Sequence, residues 1–353
     1  MKTVTVENPN LSLSQWISGT GPEQDIVLSN RIRLARNLEQ IPFPGQANQK
    51  QLAEVTSRVR DVIDTEEELQ LHYIKLKDLP EVEQELLVEK NLTSPAHLKM
   101  ETEAGLLLND DENVCLMINE EDHVRIQVLT AGFQLDKTWE WATELDDIFE
   151  EHLDFAFSRK YGYLSACPTN LGTGLRASVM VHLPALNLTD NINKMLGAIS
   201  KLGLVVRGIY GEGSNSAGNI YQISNQVTLG NQEQDIIDNL KSVTTQIIEM
   251  ERDTRNRLLE EEKESVIDRI MRSYGILRYA HQISAREAMK LLSYVKLGID
   301  MEIINSLDTK MLSELMILIR PAHLQKAQGQ ELTSDKRDIK RASLIRDRLE
   351  TGN

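Results

Sequence analysis

Residues 161–183 read YGYLSACPTNLGTGLRASVMVHL. A thiol (Cys167), a polar glycine-containing turn (residues 169–174) and a guanidinium (Arg176) stand together at the mouth of an alternating run. In that run Ala177, Val179, Val181 and Leu183 face one way and Ser178, Met180 and His182 the other, the period-2 pattern of a half-buried strand. A nucleophilic sulfur and a fixed cation are thus presented at one strand end, although a buried cysteine beside a hairpin fits the stretch taken alone. Arg31 and Arg33, in DIVLSNRIRLAR, would project from one strand face about 7 Å apart. Cations so close repel unless an anion lies between them, which suggests a phosphate clamp; a charged edge strand guarded against aggregation fits the pair equally.

Opposite charge is concentrated elsewhere. Between the alternating segments 114–118 and 124–128 lie Asn119, Glu120, Glu121, Asp122 and His123, followed by Arg125. An acidic turn held between two apolar strands can grip a cation bidentately, and a guanidinium is its natural partner. The glycine-rich stretch 203–218 carries one acid, Glu212, which would ride on a lid if the loop closes over a ligand or be solvated if it does not.

Positioning these groups requires a scaffold, and the chain supplies one. Helices are expected over residues 48–72 (with Glu66, Glu67 and Glu68 inside), over 139–157, after Thr189-Asp190 with Ile192, Met195, Ile199 and Leu202 inward, and over 235–262. Residues 74–92 read as a loop and a short helix, 204–207 as a strand and 220–224 as a return strand. The apolar alternation places Val114, Leu116 and Ile118 on one face and Val124, Ile126 and Val128 on another. The charge-rich segment 252–264 reads as a domain boundary, beyond which the chain is helical. Ser284 and Glu287 form a capping-box pattern, Pro321 ends a helix over 311–319, and a polar linker (327–335) leads to a last helix (337–350).

With 353 residues, 26% charged and 41% hydrophobic, the chain is long enough for two globular domains. A net charge of −15 argues against a nucleic-acid binder. Cys115 and Cys167 provide no disulfide framework, no apolar run reaches membrane length, and the first residues lack a signal-peptide core, so a cytoplasmic location is expected. Neither HExxH nor CxxC, neither a GxxxxGK[ST] loop nor an HRD–DFG pair occurs.

Four blocks in order, SNRIR (29–33), NEEDHVR (119–125), CPTNLGTGLR (167–176) and RG with GE (207–208, 211–212), resemble the phosphagen (guanidino) kinase family. The resemblance covers residues 25–253 and implies an α+β fold: an open antiparallel sheet flanked by helices, followed here by an all-helical C-terminal domain. The expected division is a lead-in (1–24), a catalytic domain (25–253) and a helical domain (254–353). The helical N-terminal cover that such kinases close over a small guanidine is missing ahead of the first block, and a C-terminal helical region stands in its place. That arrangement is similar to the protein-arginine kinase branch, which opens the site to a polypeptide substrate. The motif RDxxRA of that branch, which binds phosphoarginine, is present through Arg337, Asp338 and Arg341.

By this resemblance ATP contacts Ser29, Asn30, Arg31, Ile32, Arg33, His97, Arg125, Arg176, Ala177, Ser178, Val179, Met180, Arg207, Gly208 and Gly211. Mg²⁺ would be carried on ATP with no protein side chain ligating it. Glu121 and Glu212 would orient the acceptor guanidinium and accept its proton, with Cys167 beside it in a tuning role. The implied activity is transfer of the ATP γ-phosphate to protein arginines, marking them for ClpC–ClpP degradation in a stress response. An activator protein and a homodimer or larger homo-oligomer belong to the same expectation, with no membrane or direct nucleic-acid partner. A phosphagen kinase acting on free arginine, a cysteine-dependent guanidine-modifying enzyme and a non-catalytic phosphoarginine-binding adaptor are the competing readings.

Overall fold

The computed structural model describes residues 14–17, 19–100, 103–208 and 216–351. Alternating apolar runs become β1 (Val27–Arg36), β2 (His72–Lys75), β3 (Gly105–Leu108), β4 (Val114–Ile118) and β5 (Val124–Ala131). A separate two-stranded ribbon, β6 (Phe157–Ser158) with β7 (Gly162–Tyr163), precedes β8 (Leu175–His182), β9 (Leu204–Gly208) and β10 (Ile220–Asn225). Eight strands form one antiparallel sheet in the order β2-β3-β4-β5-β1-β8-β10-β9, so β5 and β1 lie at its centre and β8 beside them.

The helices are α1 (Gln49–Thr65), α2 (Glu81–Glu89), α3 (Leu135–His152), α4 (Pro184–Leu188), α5 (Ile192–Lys201), α6 (Glu233–Glu261), α7 (Lys263–Tyr279), α8 (Ala285–Asp300), α9 (Thr309–Leu318), α10 (Pro321–Gln328) and α11 (Ser334–Thr351). Local signals account for several of their ends. Asn48 Oδ1 accepts from the Lys50 and Gln51 amides while Gln51 reaches back to the Asn48 amide, a reciprocal cap that starts α1. Ser284 accepts from Glu287 N–H at α8, and Asp308 caps α9. Pro321, expected to end a helix, opens α10 at its first turn, where its missing N–H costs no bond.

One face of the sheet packs on α1, α3, α5 and α6 through a continuous apolar core. The other face is covered at its β3–β4 end by α2 and neighbouring loops, through Leu87, Leu106, Cys115 and Met117. Around Leu28, Met180 and Ile220 it is covered by the C-terminal helices. Between these two covers a strip of β1, β5, β8, β10 and β9 carries polar side chains.

Some expectations need correction. Helix α1 stops at Thr65, and Glu66 leaves helical geometry (φ −100°, ψ 63°). The acids therefore lie outside it, and Gln70 (φ 49°) turns the chain into β2. Helix α3 begins at Leu135 and ends at His152, which releases Leu153 into extended backbone and Phe157 into β6. The N-cap position of α5 is Asn191, whose side chain makes no cap bond, and Leu202 is exposed past its end. The two apolar sets of β4 and β5 share one face, because Val114 pairs with Val128, Leu116 with Ile126 and Ile118 with Val124.

The expected boundary at 253/254 falls inside α6, which runs unbroken for 29 residues. Its first half, from Ile236 to Ile248, packs in the sheet core, and Leu258 packs with the C-terminal helices. Between them Arg255 binds Glu251 (3.0 Å) and approaches Asp25 (3.5 Å) and Asp300 (3.7 Å), and Asp300 also holds the buried Lys296 (2.8 Å). This charge network ties the start of β1 to α6 and α8.

Candidate active site

Strand register gathers the arginines on the uncovered strip. In β1, Ile32 and Leu34 enter the core, so Arg31 and Arg33 face the other way. Arg33 stands directly opposite Arg176 of β8, and Arg31 opposite Ser178. Arg125 of β5, between core residues Val124 and Ile126, and Arg207 of β9, paired with Gln222, share the same face. Arg31 Nη2 donates to Gln222 Oε1 (3.0 Å), and Arg176 Nη2 reaches Ser224 Oγ (3.4 Å). The buried Nε atoms of Arg33 and Arg176 find no hydrogen-bond partner among the described residues.

Electrostatics follow from this crowding. Burial first, then the charges of Arg125 and Arg176, bring the Arg31 pKa down to about 10. Burial and then Arg31, Arg125 and Arg176 hold Arg33 well below arginine's ordinary value. For Arg176, burial leads and Arg207 and Arg125 follow in the lowering direction, while Cys167 and Glu121 act against it. As guanidinium cations the groups repel one another, at about 4 kcal/mol for unit charges 4 Å apart in an effective dielectric of 20. A polyanion with several oxygens, such as a nucleotide phosphate chain, relieves that repulsion.

The three acids of the 119–123 turn have separate fates. Glu120 is buried, ion-paired to Arg125 (2.6 Å) and held by Ser94 Oγ (2.6 Å). Asp122 is buried too, and accepts from Asn37 Nδ2 (2.7 Å), Ser165 Oγ (2.9 Å) and the Ala166 amide (2.8 Å). Glu121, between them, is exposed and touches Arg125 at 3.2 Å. Asp122 thereby fixes the approach to Cys167, whose amide donates to Ser165 Oγ (3.2 Å) and whose Sγ lies 3.1 Å from Thr169 Oγ1. One exposed carboxylate and one thiol stand at the end of an arginine-lined wall.

The loop after Cys167 is held from both sides. Gly172 pairs with Tyr163, and Thr228 Oγ1 donates to the Thr169 (3.0 Å) and Leu171 (2.7 Å) carbonyls. Gly174 has φ +67°, and a Cβ there would lie 2.5 Å from Arg36 Nη1 and 2.6 Å from the Ala35 carbonyl oxygen, so glycine is required. Arg36 is itself buried against Asp146 (2.5 Å) and stacks on the Tyr163 ring at 3.5 Å.

Not every residue expected at the nucleotide reaches this face. Asn30, Ile32, Ala177 and Val179 alternate into the core, where Asn30 Nδ2 donates to Thr130 Oγ1 (3.1 Å), so their side chains do not meet a ligand on the arginine side. Ser29, Ser178 and Met180 do share that side, around a small cavity that Arg31, Asn91 and Gln222 complete. His97 is fully buried, its Nδ1 against Thr93 Oγ1 (2.9 Å) and its Nε2 against the Ile118 carbonyl (2.9 Å), and so has no ring face to offer adenine. Burial foremost lowers its pKa, and the imidazole works as a neutral strut. Gly208 ends β9 beside Arg207, while Gly211 and Glu212 lie outside the described residues.

In α11, Arg341 is buried. Its Nε donates to the Ile319 carbonyl (2.8 Å) and its Nη1 to that of Ile283 (2.9 Å) and to Asp338. Arg337, half-buried, donates to the Leu332 carbonyl (2.7 Å). The shared helix face is present, but Arg341 is spent on the helix junction and Asp338 on Arg341. Sequence reasoning also passed over Glu120, Asp122, Asn37, Gln222 and Ser224. The two acids carried a signal, since they flank Glu121 inside the same turn; the others are visible through strand pairing alone.

Two sequence families match the chain. ATP:guanido phosphotransferase, C-terminal catalytic domain, matches residues 54–254, and Protein-arginine kinase McsB C-terminal domain matches residues 263–353. Over 340 residues the chain is 66% identical to a protein-arginine kinase of Halothermothrix orenii, with 96% of this chain and 97% of that one covered. It is 49% identical over 342 residues to the protein-arginine kinase of Bacillus subtilis, covering 96% and 94%. Among solved structures, lombricine kinase superposes with a TM-score of 0.58 at 27% identity over 69% of this chain and 71% of that one. The duplicated taurocyamine kinase of Schistosoma mansoni, with bound transition-state-analogue components, gives 0.60 at 24% identity over 74% and 38%, a likeness of fold.

Proposed function

The chain belongs to the ATP:guanido phosphotransferase family, in its protein-arginine kinase branch, and we propose that it transfers the γ-phosphate of ATP to arginine side chains of proteins using the arginine strip as its phosphate cradle. The observation that carries this reading is the cross-strand opposition of Arg33 and Arg176, each with a buried, unpartnered Nε, on a face shared with Arg31, Arg125 and Arg207.

In phosphoryl transfer, charge spreads over the equatorial oxygens of the migrating group, so donors already fixed in place stabilise the transition state without reorganising. Burial and strand pairing fix Arg31, Arg33 and Arg176. Arg125 is braced by Glu120 and held from swinging away. Among the described residues no group of three or more His, Cys, Asp and Glu side chains is disposed to hold a metal ion. By the family resemblance Mg²⁺ would be carried on the ATP phosphates, where it neutralises charge alongside the guanidinium groups.

The acceptor arginine must lose a proton as its nitrogen attacks, since its pKa lies above about 12. Glu121 is the exposed carboxylate at the end of the cradle, and its contact with Arg125 ties its position to the phosphate side. It orients the acceptor guanidinium and takes the proton, with Glu212 as second carboxylate and Cys167 beside them. The Arg337–Asp338–Arg341 face is assigned to phosphoarginine, with Arg337 as the accessible member. Marking for ClpC–ClpP degradation, a stress-response role, an activator protein, homo-oligomerisation and a cytoplasmic site of action are supported by the family resemblance. No helix of the described residues is long and apolar enough to cross a membrane.

The test is incubation with MgATP and an arginine-rich protein, with free arginine in parallel, scoring acid-labile phosphate by mass spectrometry. Phosphate on protein arginines supports the reading. Phosphate confined to free arginine replaces it with a small-guanidine kinase, and no transfer leaves an adaptor.

A further inference from the structure

Resting on the kinase reading above, we propose that the β6–β7 ribbon and residues 227–229 form an apolar docking rim for hydrophobic side chains flanking the target arginine of a protein substrate. Ten large hydrophobic residues are exposed among those described, and four of them lie on these two segments: Phe157 (59% exposed), Tyr161 (44%), Val227 (53%) and Leu229 (46%).

Both sides of the rim are bonded to the loop that carries Cys167. On one side the Tyr163 amide donates to the Gly172 carbonyl (2.7 Å), and the Phe157 ring packs edge-on to Tyr163 with centroids 5.2 Å apart. On the other, Thr228 Oγ1 holds the Thr169 and Leu171 carbonyls, and a Cβ on Gly172 would lie 2.8 Å from Leu229 Cα. Thr169 Oγ1 in turn meets Cys167 Sγ at 3.1 Å. The patch is thus continuous with the acceptor end of the site.

Phosphoryl transfer makes no use of these side chains, and exposed apolar clusters mark surfaces that something covers. A free guanidino acid has no atoms to spare for them. A polypeptide has: leaving the site from an arginine Cα, an extended chain advances about 3.3 Å per residue, so residues flanking the arginine extend toward the rim. Aromatic or aliphatic residues there would bury area against Phe157 and Leu229, whereas serine would bury little.

Two peptides with one arginine each, flanked by Leu and Phe in one and by Ser in the other, separate the possibilities. Wild-type enzyme should prefer the apolar peptide by about tenfold in kcat/KM, the equivalent of 1.4 kcal/mol. Phe157→Ser and Leu229→Ser should each remove most of that preference through KM, leave turnover of the Ser-flanked peptide unchanged, and Phe157→Tyr should retain it. Equal kcat/KM for both peptides in the wild type overturns the proposal, as does an equal loss on both peptides in the variants. A change of solution mass in Phe157→Ser with peptide preference intact would make the rim a self-association face instead. Phosphate on free arginine and on neither peptide would overturn the protein-kinase reading itself, an outcome distinct from lost preference.

Discussion

Arg33 and Arg176 face each other directly across the β1–β8 ladder, two cations where a sheet ordinarily pairs opposite charges or apolar groups. Because the folded pKa of Arg31 lies at about 10, and that of Arg33 is lowered as well, the charged forms cost stability at every pH below that range. Arg31 gives up its proton in the folded chain only as pH approaches about 10, so its share of the repulsion persists unrelieved at neutrality. Arg33→Met should therefore raise the nucleotide-free Tm, by about 2–4 °C for each kcal/mol relieved, while abolishing the stabilisation that MgATP gives the wild type. Thermal melts with and without MgATP check both halves; a lowered Tm without nucleotide would contradict the repulsion argument.

Glu121→Gln keeps shape and loses the charge proposed to take the acceptor proton. Its kcat should fall about 10²–10⁴-fold, while ATP affinity, measured by calorimetry, stays close to wild type. A parallel collapse in ATP affinity would instead assign Glu121 to nucleotide binding.

Asp122→Ala removes the acceptor for Asn37, Ser165 and the Ala166 amide at once. Leaving buried donors unpaired should cost about 1–3 kcal/mol in denaturant unfolding and slow transfer to arginine, because the Cys167 segment loses its anchor. Nucleotide binding, set by the strands, should persist.

His182 is buried between β8 and α8, its Nε2 against Ser293 Oγ at 2.7 Å, and burial followed by the charges of Lys296 and Arg255 holds its pKa well below the ordinary value. A base with a depressed folded pKa binds its proton in the unfolded chain first. Stability is therefore complete above about pH 6.5 and declines as pH falls below it, by up to about 1.4 kcal/mol per pH unit from this residue. His97 and His123, also lowered mainly by burial, act in the same direction. Urea midpoints between pH 7.5 and 5 test this, and His182→Asn should flatten the slope.

Arg341→Ala should destabilise the C-terminal helices by about 3 kcal/mol, since it strips two buried carbonyls and the partly buried Asp338 of their donor. Arg337→Ala should change stability by well under that amount and abolish phosphoarginine binding in a calorimetric titration. Equal stability losses would remove the distinction between a structural and a ligand-facing arginine.

Much of this arrangement was legible in the residues. Alternation in 175–182 identified an interior strand and how its positions divide between two faces, and the acidic turn announced itself between two apolar runs. Its limits were physical ones. Period-2 logic should have sent Asn30, Ile32, Ala177 and Val179 inward, but a contiguous motif invites every member to the ligand. The burial of His97 depends on Thr93 and the Ile118 carbonyl, a contact across 21 residues that no local pattern encodes. The exit of α1 at Glu66 and the engagement of Arg341 with Ile283, 58 positions away, were set by tertiary partners in the same way.

Helix α6 contributes apolar side chains to the sheet core and to the C-terminal core, with the Glu251–Arg255 pair riveting its middle to Asp25 and Asp300. Melting either core strips one half of a continuous rod of its packing, and a helix 29 residues long has no internal break at which the loss could stop. Catalytic and helical regions should thus unfold in one cooperative calorimetric transition, so that heating abolishes phosphotransfer and dismantles the Arg337–Arg341 face together.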